Sequence, residues 1–163
     1  MEDIDRLVAQ WGEQKPHLDT MPMAILGRFL RLQKHIETEI SACHKQFELT
    51  MGEFDVLATL RRAGLPYTLT PSALLSSMML TSGAMTNRLD KLESKGLIKR
   101  AHSTDDRRSV SVGLTEKGLT TIDEVIEEHV RVQHRLVDHL SETEQPQLNQ
   151  LLKTWLVAFE KVE

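Results

Sequence analysis

Charged side chains gather in one short segment of the sequence, where they could bind phosphate groups. Within STDDRRSVSVGLTEKG, Asp105 and Asp106 directly precede Arg107 and Arg108. A guanidinium group binds phosphate through paired hydrogen bonds and enters narrow minor grooves of DNA. An aspartate is unsuited to facing a polyanion, but it can cap a turn and orient an adjacent arginine. We therefore predict that the two arginines contact DNA and that the two aspartates fold the tip. A solvated turn with exposed ion pairs is the alternative.

A second group of polar side chains lies upstream, in the stretch TSGAMTNRLDKLE. It combines short hydrogen-bonding side chains, two basic ones and a glycine that allows close approach of the backbone. A helix enters the major groove of DNA by its N-terminal turns, where such side chains meet phosphates and base edges. We predict DNA contacts from this helix by Thr81, Ser82, Gly83, Thr86, Asn87, Arg88 and Lys91.

The distribution of charge supports a polyanionic partner, although the whole chain has a net charge of −4. Residues 61–117 carry 10 basic and 5 acidic side chains, a net charge of +5. The segments before and after are acidic, with net charges of −4 and −5. A basic middle segment between acidic flanks is a localised field that favours binding of nucleic acid.

Apolar spacing and turn residues predict the elements that must position these groups. A Thr50–Glu53 capping box opens one helix that closes on Gly64, and Pro71 opens a short helix after the turn-rich LPYTLTP. Residues 3–12 are predicted as a short helix that ends at Gly12. The other predicted elements are helices over 21–45, 81–95, 115–139 and 142–160, and strands over 97–102 and 109–114.

The order helix, turn, helix and hairpin predicts a fold that is mainly α with a small β-wing, a winged helix-turn-helix. We divide one integrated domain into N-terminal dimerisation helices over 1–48, a DNA-binding region over 49–117 and C-terminal dimerisation helices over 118–163. The flanking helices carry longer apolar stripes than so small a winged unit can cover, which predicts a homodimer. A monomer with these helices folded back on the core is the alternative.

Several function classes are excluded by what the sequence lacks. The single Cys43 allows no internal disulfide and no cysteine cluster for zinc, and the seven histidines show no metal-ligand spacing. Phosphate-binding glycine loops and nucleophile elbows are absent, so we predict no enzyme, no cofactor and no metal. No apolar run approaches the roughly 20 residues of a membrane span, and the N-terminus lacks a signal-peptide core. We expect a cytoplasmic protein that does not bind membranes.

The segments SGAMTNRLDKLESKGLIKR, DDRRSVSVGLTEKG and LSETEQPQLNQLLKTW resemble the MarR family of bacterial transcription regulators. The resemblance covers about residues 21–160. It implies a winged-helix homodimer with interlocked terminal helices that represses transcription from a palindromic operator in double-stranded DNA. It also implies release from DNA by a small aromatic or anionic effector.

The N-terminal segment LVAQWGEQKPHLDTMPMAILGRFLRL is similar to a urate-responsive subgroup that carries an extra helix with a tryptophan. The resemblance implies a ligand site formed by Trp11, Asp55, Arg62 and Arg88. A flat anionic purine or a phenolic acid could stack on the indole and pair with an arginine. Alternatively, Trp11 pins the terminal helix to the core, Asp55 faces solvent or a neighbouring helix, and Arg62 contacts DNA phosphate.

Two other functions stay open from the residues alone. Some relatives sense hydroperoxides through one cysteine, so a redox regulator that acts through Cys43 is an alternative, although a buried inert thiol fits its position better. Winged helices also dock proteins, so a protein-interaction module is the other alternative. Salt-dependent binding to duplex DNA would distinguish a DNA-binding regulator from a docking module.

Overall fold

The computed structural model describes residues 3–79, 85–102 and 110–160. Its elements in chain order are α1 (Asp3–Gln14), α2 (Met21–Gln46), α3 (Met51–Arg62), β1 (Thr68–Leu69), α4 (Pro71–Ser77), α5 (Met85–Ser94), β2 (Ile98–His102), β3 (Val110–Leu114), α6 (Glu116–Val137) and α7 (Glu144–Val157). The chain forms two compact units, Met1–Ala42 and Cys43–Glu163. A mainly helical chain with one small antiparallel sheet confirms the predicted fold class.

The first unit contains α1 and most of α2, which are joined by polar and apolar contacts. Asp3 Oδ2 accepts a hydrogen bond from Arg31 at 2.9 Å. Ile4 is buried against Gly27, where an added Cβ would lie only 3.1 Å from Cδ1 of Ile4. The predicted helix end at Gly12 is wrong, because α1 continues past this residue. A glycine inside a helix costs about 1 kcal/mol relative to alanine, which neighbouring contacts can offset.

Long apolar faces are exposed on α2 and α7. Seven large apolar side chains of α2 are 45–64% exposed: Met21, Ile25, Leu26, Phe29, Leu30, Leu32 and Ile36. Six on α7 are 39–68% exposed: Leu148, Leu151, Leu152, Trp155, Leu156 and Val157. Single exposed leucines are ordinary, but contiguous apolar faces of this length mark surfaces that bind other molecules.

The second unit contains the winged helix, with a three-stranded sheet in the order β1-β3-β2. Strands β2 and β3 pair antiparallel from Ile98 opposite Leu114 to His102 opposite Val110. The two strands of the wing lie within the predicted ranges. β1 was not predicted: the LPYTLTP segment contains a two-residue strand, with Thr68 opposite Gly113 of β3. A strand of two residues is too short to show the alternating apolar pattern by which strands are recognised in a sequence. Only its pairing with β3 identifies it.

Apolar side chains from all the surrounding elements form one core in the second unit. Its fully buried members are Val56, Leu57, Leu60, Leu74, Leu92, Val112, Ile122 and Val125. Leu89 and Leu92 of α5 are buried, and Met85 packs at the edge of the core. The opposite face of α5 therefore points away from the core.

The N-terminus of α3 is closed by the predicted capping box. Glu53 N–H donates to Thr50 Oγ1 at 3.2 Å, and Thr50 N–H donates to Glu53 Oε2 at 2.8 Å. Lys95, just after α5, donates to Glu53 Oε1 at 2.9 Å and to the carbonyl of Glu48 at 2.7 Å. Burial works to raise the pKa of Glu53, but the hydrogen bonds from Thr50 and Lys95 lower it overall. The end of α5 is thus tied to the start of α3.

The LTEKG segment joins the wing to α6 through several close contacts. Thr115 caps α6 by accepting from Gly118 N–H at 2.9 Å, and its hydroxyl donates to the carbonyl of Gly96 at 2.7 Å. Lys117 donates to the carbonyl of Lys95 at 2.9 Å. A Cβ at Gly118 would lie 1.9 Å from the carbonyl oxygen of Leu97, so only glycine fits there. These contacts fasten the start of α6 to the end of α5.

Candidate DNA-binding surface and ligand cavity

The outward face of α5 presents polar side chains. Thr86, Asn87 and Lys91 are exposed on it, because Leu89 and Leu92 hold the opposite face in the core. A helix with this division can place short hydrogen-bonding groups on base edges while its apolar side stays packed.

Arg88 takes a different position from these three side chains. It is half-buried, and its side chain lies so close over α3 that a Cβ added to Gly52 would be 2.4 Å from its Nε. Asp55 follows one turn after Gly52 on α3, and residues three apart share a helix face. Arg88 thus connects α5 to the helix that carries Asp55.

An ion-pair cluster connects α5 to the wing. Arg100 on β2 pairs with Asp90 at 2.7 Å, and its Nε donates to Glu93 Oε2 at 3.0 Å. Hydrogen bonding to Arg100 lowers the pKa of the Glu93 carboxyl. Arg100 was not among the predicted site residues, because its pairing with two acids of α5 depends on how β2 packs against that helix.

Several residues named in the predictions lie outside the described part of the chain. Those predicted to contact DNA are Thr81, Ser82 and Gly83 before α5, and Arg107 and Arg108 between β2 and β3. Asp105 and Asp106, predicted to fold the wing tip, lie outside it too. The described strands of the wing end with His102 opposite Val110.

A cavity of about 350 Å³ lies in the second unit between α3, α6 and the segment after α4. Its lining combines apolar side chains with polar ones: Phe54, Asp55, Ala58, Arg61, Arg62, Met79, Ile122, Ile126, His129 and Gln133. Such a site, apolar in most of its area with a few convergent polar groups, is typical of small-molecule sites. The two arginines favour an anionic ligand.

Two of these polar side chains also hold the segment that leads from α4 toward α5. Asp55 Oδ1 accepts from the N–H of Met79 at 3.4 Å. Arg62 donates a hydrogen bond to the carbonyl of Ser77, the last residue of α4. Arg61 is engaged elsewhere: its Nε donates to Asp123 Oδ1 at 2.6 Å, and its guanidinium lies 5.1 Å from the centre of the Tyr67 ring.

The structure therefore brings together two of the four residues predicted to bind a ligand, Asp55 and Arg62. The Arg88 side chain lies against α3 but does not line this cavity. Trp11 belongs to the first unit, where it is 41% exposed on α1.

Sequence reasoning missed the contribution of α6 to the cavity. Ile122, Ile126, His129 and Gln133 follow one another at spacings of four, three and four residues, which is one helical face. The sequence shows this spacing, but the prediction assigns the helix to dimerisation alone. The described chain places no group of three or more His, Cys, Asp or Glu side chains where they could hold a metal ion.

Cys43 is only 3% exposed. Burial, and next the carboxylate of Glu128, raise the pKa of its thiol. A thiol with a raised pKa forms little of the reactive thiolate, so the environment of Cys43 favours the inert alternative.

None of the described helices has both the length and the apolar character of a membrane span.

A winged helix whose exposed recognition face is polar defines the class of DNA-binding regulators. The profile of the MarR family matches residues 49–110. The HTH-type transcriptional regulator PecS of Dickeya dadantii is 37% identical over 150 residues, covering 92% of this chain and 90% of that protein. The HTH-type transcriptional repressor MdtR of Bacillus subtilis is 31% identical, covering 69% of this chain and 71% of that protein.

Among solved structures, the chain is similar to a mutant MarR from E. coli complexed with operator DNA. The TM-score is 0.69 and the sequence identity 26%, over 90% of this chain and 97% of that one. The chain belongs to the MarR family of transcription regulators, which confirms the predicted family and the prediction that it is not an enzyme.

Proposed function

We propose that this regulator is a homodimeric repressor of a palindromic operator and that a small aromatic or anionic effector, such as urate or a phenolic acid, releases it. The observation that carries the proposal is the double role of Asp55 and Arg62. Both line the cavity, and both hold the backbone that leads from α4 into the recognition helix. A ligand that uses these groups necessarily competes with their contacts to that backbone.

The DNA-binding part rests on α5 and the basic middle segment. Thr86 and Asn87 read bases in the major groove, while Lys91, Arg107 and Arg108 bind phosphate or enter the minor groove. We assign Thr81, Ser82 and Gly83 to the entry of α5 into the groove, and Asp105 and Asp106 to the wing tip. That a relative is named a repressor, and that another is solved on operator DNA, supports this assignment.

The homodimer rests on the exposed apolar faces of α2 and α7. A second copy of the same chain offers matching faces, which a two-fold axis can bring together. Such a dimer presents two recognition helices to successive major grooves about one helical turn apart, which is why a palindromic operator is expected.

Release by effector rests on the chemistry of the cavity. An aromatic ring packs on Phe54, Ala58 and Ile126, and an acidic group pairs with Arg62 in place of the Ser77 carbonyl. Hydrogen bonds of this kind contribute about 1 kcal/mol each. Loss of the Arg62 contact therefore changes operator affinity by about fivefold, which lies within the usual range of allosteric coupling. Trp11 and Arg88 remain proposed ligand contacts through the resemblance to the urate-responsive subgroup.

The test is binding of the purified protein to DNA upstream of its own gene, with and without urate or salicylate, against a random duplex of equal length. A specific complex that either compound dissociates supports the proposal. A specific complex that neither dissociates retains the repressor and contradicts the effector class. Binding that does not distinguish the two duplexes at low salt contradicts the operator function and favours a protein-docking module.

A further inference from the structure

Two histidines from distant parts of the chain form a hydrogen-bonded pair beside the ligand cavity. Nε2 of His44, near the end of α2, lies 3.0 Å from Nδ1 of His129 on α6. The two imidazole rings are 16° from parallel, with centroids 5.1 Å apart, as expected for rings bonded edge to edge. Phe54 stacks on both rings, with centroid distances of 4.0 Å to His44 and 4.6 Å to His129.

Both histidines are uncharged at neutral pH. Burial, and next the neighbouring imidazole of His129, lower the pKa of His44 to about 4. Burial also lowers the pKa of His129. Two neutral imidazoles 3.0 Å apart share one proton between the facing nitrogens, so one ring donates and the other accepts.

The surroundings of His44 decide which ring donates. His44 is 1% exposed, and its Nδ1 has no hydrogen-bond partner among the described residues. A buried N–H without a partner is rarer in proteins than a buried acceptor without one. The proton of His44 therefore lies on Nε2 and points at Nδ1 of His129. His129 must then carry its own proton on Nε2.

We propose that His129 selects the effector by donating a hydrogen bond from Nε2–H, and that His44 is the positioning residue that fixes this tautomer. His129 lines the cavity, and its Nδ1 is occupied by His44, so Nε2 is the ring nitrogen left for a ligand. The inference rests on the proposed effector cavity and adds a requirement to it. The ligand needs a second acceptor besides the acidic group: a phenolic or carbonyl oxygen, or a bare ring nitrogen.

The charged groups around the cavity agree with this requirement. Arg61 and Arg62 line it together with Asp55, and Asp55 is already an acceptor for Met79 N–H. The Nε2–H of His129 and the guanidinium groups of Arg61 and Arg62 are all donors, so the ligand must supply the acceptors. A ligand that presents an N–H or O–H donor to His129 meets another donor and loses affinity.

The first measurement reads the tautomers directly in the free protein. Two-bond ¹H–¹⁵N spectra of the full-length protein at pH 7 distinguish Nδ1–H, Nε2–H and imidazolium forms, and loss of signals in His44→Leu and His129→Leu assigns them. We expect the Nε2–H form for both histidines. We also expect His44→Leu to shift His129 toward a mixture of tautomers. Finding His129 as Nδ1–H or as imidazolium, or unchanged by His44→Leu, would overturn the proposal.

The second measurement is the Kd for salicylate and for urate by calorimetry. His129→Leu should weaken whichever probe binds by about fivefold, the effect of one hydrogen bond to an uncharged acceptor. His129→Gln, which keeps an N–H near the position of Nε2, should recover part of that loss. His134→Leu makes the same change on α6 at an exposed side chain outside the cavity lining and should alter Kd by less than about twofold.

The outcomes separate this proposal from the function on which it rests. Equal affinities of native protein and His129→Leu overturn the role of His129 while leaving the effector cavity intact. If neither salicylate nor urate binds the native protein, two claims are overturned: the hydrogen bond from His129 to the effector, and the proposed class of ligands for the cavity. Operator binding, measured without any ligand, tests the regulator function independently of the effector. Thermal melting of each variant identifies a folding defect.

Discussion

The guanidinium of Arg62 on α3 donates a hydrogen bond to the backbone carbonyl of Ser77 at the end of α4. The Arg62 side chain thus lines the candidate ligand cavity and also supports the helix-turn-helix. Its neighbour Arg61 lines the same cavity but pairs with Asp123 instead. Adjacent arginines with the same charge and different partners offer a matched comparison.

Arg62→Ala should lower effector-free operator affinity by about five- to tenfold, because the α4–α5 segment loses one backbone contact. Salicylate should then have little further effect. Arg61→Ala removes the same charge from the cavity and should leave effector-free binding within about twofold. Fluorescence anisotropy with labelled operator measures both. The salt dependence of the Arg62 variant should equal that of the native protein; a flatter dependence would mean that Arg62 contacts phosphate instead.

Asn87→Ala should reduce discrimination between operator and random DNA more than it reduces general affinity. Asn87 is exposed on α5, and one good base contact contributes about 1–3 kcal/mol of discrimination. Lys91→Ala, one turn along the same face, should weaken binding to both duplexes equally and reduce the salt slope by about one. An equal loss on both duplexes with Asn87→Ala would contradict base reading by this residue.

Leu151→Lys should raise the dimer dissociation constant by about thirtyfold or more, because a charge would be placed in an apolar interface. Leu151 is 68% exposed on α7. Leu65→Lys makes the same change at a side chain that is 83% exposed between α3 and β1, and should leave the association unchanged. Sedimentation equilibrium measures both constants. Undisturbed association of the Leu151 variant would remove this face of α7 from the interface.

Gly118→Ala should destabilise the fold by about 3 kcal/mol or more, because the new methyl group would overlap the Leu97 carbonyl, a backbone atom that cannot move aside. Gly12→Ala is the control, since no atom lies within 4 Å of a Cβ there. It should stabilise α1 by about 1 kcal/mol. Urea denaturation gives both free energies. If the Gly118 variant unfolded at the same urea concentration as the native protein, the close packing of α6 against Leu97, just before β2, would be contradicted.

Local signals in the sequence predicted much of the fold. The capping box of Thr50 and Glu53 and the early proline of α4 have effects that act within one helical turn, so residue order alone reveals them. β1 and the helix beyond Gly12 were missed because their structure depends on partners elsewhere in the chain.

The candidate site could be predicted only in part for a related reason. Asp55 and Arg62 were named through a resemblance, and both line the cavity. Their contacts with the backbone of Met79 and Ser77 could not be foreseen, because no residue type marks a particular backbone group as a partner. His44 and His129 are 85 residues apart, and neither carries a local pattern that points to the other.

The contacts that hold the helix-turn-helix after α5 and at the end of α4 differ in kind, and we expect this difference to determine how α5 moves. At its C-terminal end, Thr115 and Lys117 bond to backbone carbonyls at Gly96 and Lys95, so α6 clamps that end firmly. Before α5, the Arg62 side chain bonds to the carbonyl of Ser77 in α4, the contact that we propose an effector displaces. We therefore expect α5 to rotate about its C-terminal end, near Gly96. The end that meets DNA travels farthest, so a small rotation at the hinge suffices to misalign two half-sites.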